Sequence, residues 1–450
     1  MHLLALILLA LITLPSTPGS QRLTVTLASG DTETAVLEQF DIEPAEMPVA
    51  EIAEADAVDS SQASFEFDAA DLPSLQDLTL PPVVAEVGTN SAGSSPGGGQ
   101  STVDVDMFGG RSGATKQALL AAYGGTERTE HAVELGLRWL VRNQTRNGSW
   151  SLQGPYRDEG TIENRVAATA MAILALAGAG NTHQSGEYQT SVKRGLVWLL
   201  GQLKNGRFGN DQSYSHHQTY GQAQATIALC ELYALTNDSS LYSDCQSAID
   251  YAVEAQSPSG GWRYQPRAGS DTSVTGWYVM AMQSASHSDV TFSPSVWERV
   301  KYYLDAASHH EGAAYGYQIG GSYSGTMTAE GLLCRQYLGW DRDREAMKLG
   351  VSSLLAEQNF DVDQRNVYYW YYASQVMHHV GGSPWQMWND RMKVGLPRMQ
   401  IKRGAESGSW PPQGDEYGRT GGRLYTTCLS ILCLEVYYRH LPIYSPPVDP

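Results

Sequence analysis

The chain has 450 residues, a length compatible with two or three domains, and a net charge of −18 at pH 7. That charge is local: Leu23 to Gly110 holds 17 acidic residues and no Lys or Arg, which leaves 31 acids against 29 bases from Arg111 onward. A near-neutral body on an acidic segment lacks the basic surface that nucleic acid requires, so DNA or RNA binding is disfavoured.

Leu3 to Leu14 is apolar apart from Thr13. Such a run is short for a bilayer span and suits the core of a signal peptide. Residues 1–20 are read as a secretory signal or membrane anchor, which makes the protein exported: periplasmic, envelope-bound or secreted. Residues 21–110 contain acidic runs such as Glu51-Ile52-Ala53-Glu54-Ala55-Asp56 and the small-residue stretch Ser91–Gln100. One-sign charge with few aromatics cannot bury enough apolar area to offset chain entropy. This segment reads as a disordered acidic linker, with room for a short strand near Leu23–Leu27.

From Arg111 to the end, Trp and Tyr become frequent and helical periodicity sets in. The amphipathic stretch His131–Gln144 precedes the Ala- and Leu-rich Glu163–Ala179, which is apolar on more than one side and should be buried. The pairing recurs as Thr190–Leu203 with Gln218–Leu235, Leu241–Gln256 with Thr272–Ser286, and Ser295–Ser308 with Thr326–Leu338. It ends as Arg344–Gln358 with Val367–Val380 and Pro384–Ile401 with Leu424–Leu441. Thr169, Thr226, Thr275, Thr328 and Thr427 fall at similar places in the second helices. The five Cys show no C-x-x-C spacing, and four sit in apolar helical patterns, where Cys packs as a small buried hydrophobe.

Between paired helices runs a repeated motif, Q-x3-G-x-W. It occurs at Gln144–Trp150 and Gln256–Trp262, with Phe for Trp at Gln202–Phe208, and in expanded form as Gln400 followed by Gly408-Ser409-Trp410. A pattern returning every 50–60 residues marks a repeat architecture. The Gly permits a tight turn, the Trp or Phe fills space between hairpins, and the Gln caps helix-end groups. Six hairpins with one shielded and one exposed helix close naturally into a ring, because closure removes the end faces that an open solenoid must cap. The expected fold is all-α: an α/α toroid of six helical hairpins with inner and outer helix rings, preceded by the disordered acidic linker.

Over residues 115–445 these repeats resemble those of squalene and other terpenoid cyclases, on the toroid shared with protein prenyltransferase β subunits. The same toroid serves complement-type thioester domains, lanthionine cyclases and some polysaccharide lyases, so the resemblance implies the fold and leaves the chemistry open. Proton-initiated cyclases carry D-x-D-D-T-A where an inner helix begins. Here the matching stretch is Gly269-Ser270-Asp271-Thr272-Ser273, so the family's first Asp falls on Ala268 and its proton donor on Ser270. Prenyltransferases bind zinc through Asp-x-Cys and a distant His, and Ser273 stands where that Cys would be. The pairs His216-His217, His309-His310 and His378-His379 do not by themselves chelate, since adjacent helical residues diverge. No metal and no cofactor is expected.

Asp271 is the candidate catalytic residue, with an N-cap role as its plain alternative. Aromatic walls with a few convergent polar groups are the usual form of a ligand site. On that basis the mouth of the inner ring is expected to take its lining from His216, His217, Tyr220, Trp277, Tyr323, Tyr368, Trp370, Arg423 and Tyr425. Three function classes stay open. One is a binding module for a hydrophobic or extended small ligand, a lipid, peptide or glycan, held in an aromatic cavity and carried on a chain attached through its N-terminus to a membrane or released. The others are a terpenoid cyclase and a glycan lyase or hydrolase using Asp and Arg at the mouth. The export segment and the missing acid and metal motifs favour binding.

Overall fold

The computed structural model describes residues 108–209 and 216–444, together with the backbone of three short strands, Leu6–Leu9, Leu23–Ala28 and Thr102–Val105, which pair antiparallel in that order. The strand expected near Leu23 is among them. The rest of the signal or anchor segment and of the acidic linker lies outside the described residues. Among the described residues no helix is long and apolar enough to cross a membrane.

The body begins with a short 3-10 turn, Gly109–Arg111, and helix α1 (Gly113–Ala122). Six hairpins follow. They are α2 (Glu127–Arg142) with α3 (Arg165–Gly178), α4 (Gln189–Gly201) with α5 (His216–Thr236), and α6 (Tyr242–Ala255) with α7 (Thr272–Ser286). Then come α8 (Ser295–Ala307) with α9 (Gly325–Tyr337), α10 (Glu345–Gln358) with α11 (Val367–Val380), and α12 (Gly382–Met399) with α13 (Gly418–Leu434). A final turn of helix, α14 (Val436–Arg439), ends the body. The second helices contact one another in the order α3, α5, α7, α9, α11, α13, and α13 returns to α3, which closes the inner ring. Sequence periodicity starts the first outer helix at His131. The helix begins at Glu127, because Thr126 and Thr129 form a reciprocal cap.

The inner helices are apolar all round because they are enclosed on every side: α3 is buried without a break from Ala167 to Gly178. The repeated motif is the device that joins the rings. The Trp150, Trp262 and Trp410 indoles donate to Leu140 O, Ala252 O and Leu396 O of the preceding outer helix at 2.7–2.8 Å. Their backbone N–H groups donate to Thr169, Thr275 and Thr427 of the following inner helix at 3.0–3.1 Å, which accounts for the threonines at matching places. In the fourth hairpin Tyr315 takes the Trp position and donates its N–H to Thr328. The Phe variant breaks the rule at Thr226: Phe208 N donates instead to the Gln222 side chain, one turn earlier.

The Gln does not cap helix ends as expected. Its amide joins two segments, as when Gln256 Nε2 donates to Gly260 O of its own turn and to Val296 O in the first turn of the next outer helix. Gln400 repeats this across the seam, bonding Gly408 O and Ala132 O of α2, so the sixth motif fastens the last hairpin to the first. Gly408 sits at φ 98°, and a Cβ there would lie 2.1 Å from Leu135 O of α2. Both the turn and the close approach therefore require glycine.

The opposite end of the ring, at the C-termini of the inner helices, is held by charge. Glu231 of α5 is buried between two guanidiniums, Arg111 at 2.8 Å and Arg439 at 2.9 Å. Arg111 also donates to Arg439 O, and Arg439 to Leu174 O of α3. Burial alone would raise the Glu231 carboxyl, but the paired arginines outweigh it and hold the group below its usual range. All five cysteines are buried and free.

Replacing Trp410, which is fully enclosed at the ring seam, by Ala is expected to cost about 3–5 kcal/mol. Chemical denaturation against the wild-type chain measures it. A loss under about 1 kcal/mol would show that the seam does not depend on the motif.

Candidate functional site

The inner helices start at one end of the ring, and side-chain caps fix those starts. Asn164, Asp271, Ser324 and Asn366 accept from backbone N–H groups two or three residues into α3, α7, α9 and α11. Asp271 is placed by the motif before it: its N–H donates to Trp262 O at 3.0 Å while Trp262 N donates to Thr275. Its Oδ1 accepts from Val274 N at 2.8 Å, so the N-cap role is real. Its second oxygen points elsewhere, with Arg263 Nε at 3.5 Å. The side chain is fully buried, and burial pushes its carboxyl up to about 6, opposed by Val274 N–H, the Tyr317 hydroxyl and Arg263. The Arg263 guanidinium is shared with the Gln318 amide oxygen, 2.6–3.2 Å from its nitrogens once that amide is oriented to suit the network.

Beside Asp271 a cluster of hydroxyls from three inner helices gathers around a carboxyl from a fourth. Ser273 Oγ lies 3.0 Å from Tyr220 OH of α5 and 2.7 Å from Tyr368 OH of α11. Trp277 Nε1 donates to Tyr368 OH at 3.1 Å, and Tyr368 OH lies 3.4 Å from Glu330 Oε1 of α9. Tyr371 stacks on Trp277 at 5.6 Å, and Tyr372 OH stands 3.5 Å from Tyr368 OH. Tyr264 and Tyr317 hydroxyls meet at the rim. On the far side Tyr417 packs edge-on to Tyr368, and Tyr425 is half-buried at the start of α13. Asp415 accepts from Val367 N and Tyr417 N, and burial raises it to about 6.

The structure therefore brings together Asp271, Tyr220, Trp277 and Tyr368, with Tyr425 near Tyr220. Three expected lining residues go elsewhere. Trp370 points outward and packs on Phe360 at 4.4 Å, because residues 368, 371 and 372 take the inner face of α11. Tyr323 lies against His309 and His310 on the outer turn of the fourth hairpin. Arg423 is buried, its guanidinium taken up by Arg157 O, Ser409 Oγ and Asp158, so it clamps the first mouth loop to the sixth hairpin. His217 is half-buried and its carbonyl accepts from Asn164. His216 opens α5, and its side chain lies outside the described residues, as does 210–215 of its loop.

Sequence reasoning missed Glu330. It is fully buried, with one carboxyl oxygen near Tyr368 and the other without a hydrogen-bond partner. Burial, with Asp271 adding to it, holds its carboxyl well above the ordinary range, against opposing bonds from Tyr372 and Tyr368. The signal was a lone acid inside the apolar run Met327–Cys334. Burial thus raises both carboxyls, Asp271 to about 6 and Glu330 well above the ordinary carboxylate range. Among the described residues no group of three or more His, Cys, Asp or Glu is arranged to hold a metal.

No known sequence family and no curated protein matches the chain in sequence. Solved structures do match in shape. The GH76A α-1,6-mannanase from Salegentibacter sp. HEL1_6 aligns over 69% of this chain and 98% of its own, with 13% identity and a TM-score of 0.51. Cellobiose 2-epimerase from Bacillus thermoamylovorans B4167 aligns over 69% and 98%, with 12% identity and a TM-score of 0.51. The type II terpene cyclase MstE from Scytonema aligns over 69% and 97%, with 13% identity and a TM-score of 0.45. The fold is an α/α toroid. At such identities the likeness reaches the architecture and stops there.

Because the folded Asp271 carboxyl is raised from 3.8 to about 6, the native state holds this proton more tightly than the unfolded chain. The associated stability is present below pH 4 and lost as pH rises through 6. Asp271→Asn keeps an N-cap and removes the titration. The wild-type-minus-variant difference in unfolding free energy should fall by about 2–3 kcal/mol from pH 4 to pH 7. Denaturant titrations at both pH values measure it, and a flat difference would place an ordinary carboxyl at this position.

Proposed function

We propose that the protein is an exported toroid that binds an extended, hydroxyl-bearing ligand, a glycan, at the mouth of its inner ring. The observation that carries this reading is the wall made by Tyr220, Ser273, Trp277 and Tyr368, with Asp271 at its edge. Phenol and serine hydroxyls donate and accept, as sugar hydroxyls do, and flat aromatic faces suit the apolar faces of sugar rings. Tyr220, Tyr264, Tyr317 and Tyr425 remain half-buried at the lip, where an incoming ligand meets them first. The apolar run Leu3–Leu14 supports export. The mannanase of like fold adds weight: a variant of it inactivated at two aspartates is known in complex with α-1,6-mannotriose.

The same mouth has the parts for proton transfer to a bound sugar. Asp271 would act as base and a protonated carboxyl as acid, each at a pKa set by its surroundings. The cyclase alternative fits less well. Aromatic faces stabilise a carbocation, but hydroxyls at van der Waals distance intercept it, and Ser270 stands where that chemistry needs its acid.

A panel of neutral and acidic oligosaccharides, α-1,6-mannotriose included, provides the test by thermal unfolding. A true ligand at a hundred times its Kd stabilises the fold by about 2.7 kcal/mol. Tyr220→Ala should remove that gain while leaving the unliganded melting temperature nearly unchanged. If no oligosaccharide stabilises the wild-type protein, the glycan reading is wrong.

A further inference from the structure

The hydroxyls of the mouth do not end at the mouth. Glu330 lies five residues into α9, roughly 8 Å below the helix start at 1.5 Å per residue. From it a continuous chain of oxygens leads outward: 3.4 Å to Tyr368 OH, 2.7 Å to Ser273 Oγ and 3.0 Å to Tyr220 OH at the lip. We propose that Glu330 is the internal acid of this site, exchanging its proton with a ligand at the mouth through Tyr368, Ser273 and Tyr220.

Three observations carry the assignment. First, Glu330 is fully enclosed, and among the described residues one of its carboxyl oxygens has no hydrogen-bond partner and is left to hold a proton or give one up. Second, the neighbouring helix is shaped around it. A Cβ on Gly276 of α7 would lie 2.2 Å from Glu330 Oε1, so a helix-interior glycine, unfavourable by about 1 kcal/mol, keeps the space that the carboxyl fills. Third, among the described residues no cation pairs with it as a structural ion pair would require. The ionisable groups that interact with it are Asp271 of α7, Tyr368 and Tyr372 of α11, Cys334 of its own helix, and the phenols of Tyr220, Tyr303 and Tyr417. Glu231, a buried acid at the base of the ring, lies between two arginines and has a structural role of its own.

Each hydroxyl in the chain has one proton and two lone pairs, so the chain runs in either direction. Outward, the Glu330 O–H gives its proton to Tyr368 oxygen, Tyr368 passes its own to Ser273, Ser273 to Tyr220, and Tyr220 to a basic oxygen of the ligand. Every O–H bond broken is matched by one formed, and Glu330 is left as carboxylate. Inward transfer reverses each step. Asp271, at about 6, stands beside the outer end of the chain as the complementary base. The inference rests on reading the mouth as the ligand site, but the relay exists without a ligand and is tested without one.

Infrared spectroscopy of the full chain at pH 7 reads it directly. A protonated-carboxyl stretch should be present, should vanish in Glu330→Gln and should move in Tyr368→Phe, which loses the bond to that carboxyl. On transfer to D2O this band should shift rapidly in the wild type. In Tyr368→Phe and Ser273→Ala the shift should be slower by about tenfold or more, because exchange then waits for local opening of the fold. Thermal melts confirm that each variant is folded, and Ser273→Ala, which removes one oxygen, serves if Tyr368→Phe is not. Absence of a band that Glu330→Gln removes would overturn the acid, and equal exchange in all folded variants would overturn the relay. Either result leaves oligosaccharide binding at the mouth to its own measurement.

Discussion

The interaction on which this structure depends is the pair of hydrogen bonds made by each motif tryptophan. Its indole holds the end of one outer helix, and its backbone N–H holds a threonine on the next inner helix. The accompanying glutamine reaches a third element, the outer helix of the following hairpin. One seven-residue stretch thereby fixes a helix pair internally and sets its distance from its neighbour. The bonds recur at the first hairpin, where Gln144 reaches Ser191 of the next outer helix, and at the sixth, where Gln400 reaches Ala132 across the seam. In a solenoid such terms would add along a line and fray at the ends, whereas a closed ring shares them.

That scaffold also decides where chemistry sits. The Trp262 carbonyl receives the Asp271 N–H, so the same motif that joins the rings delivers a carboxyl to the mouth. The glycine spacing of α7 lets α9 bring a second carboxyl against it. Neither acid is neutralised by a close, buried arginine pair of the kind that holds Glu231 at the far end. The two ends of one ring thus use charge in opposite ways. At the base it is paired for closure, and at the mouth it is held apart among hydroxyls and aromatic faces.

The ring and its closure were legible in the sequence because they rest on local patterns: helical period, glycine turns and threonines recurring in register. Asp271 was legible for the same reason, as a cap at a helix start. Trp370 was not, since five consecutive aromatics carry no phase of their own, and only the packing of Trp370 on Phe360 and of Tyr369 on Trp388 shows which two turn outward. Arg423 looked like a ligand-binding cation and proved to be saturated by Ser409, Arg157 and Asp158, partners distant or unremarkable in sequence. Glu330 was hidden in an apolar run, and the feature that marks it, Gly276, lies on a different helix.

The ends of the body meet at the base, where the Arg111 side chain donates to the backbone of Arg439 and both guanidiniums grip Glu231. The mouth lies at the other end of the inner helices. A pull on the chain ahead of Phe108 therefore loads an ionic latch at the base and is spread into α3 and α5 before it reaches Asp271. Mechanically, the toroid resembles a cup loaded at its foot, with the rim at the far end of the inner helices.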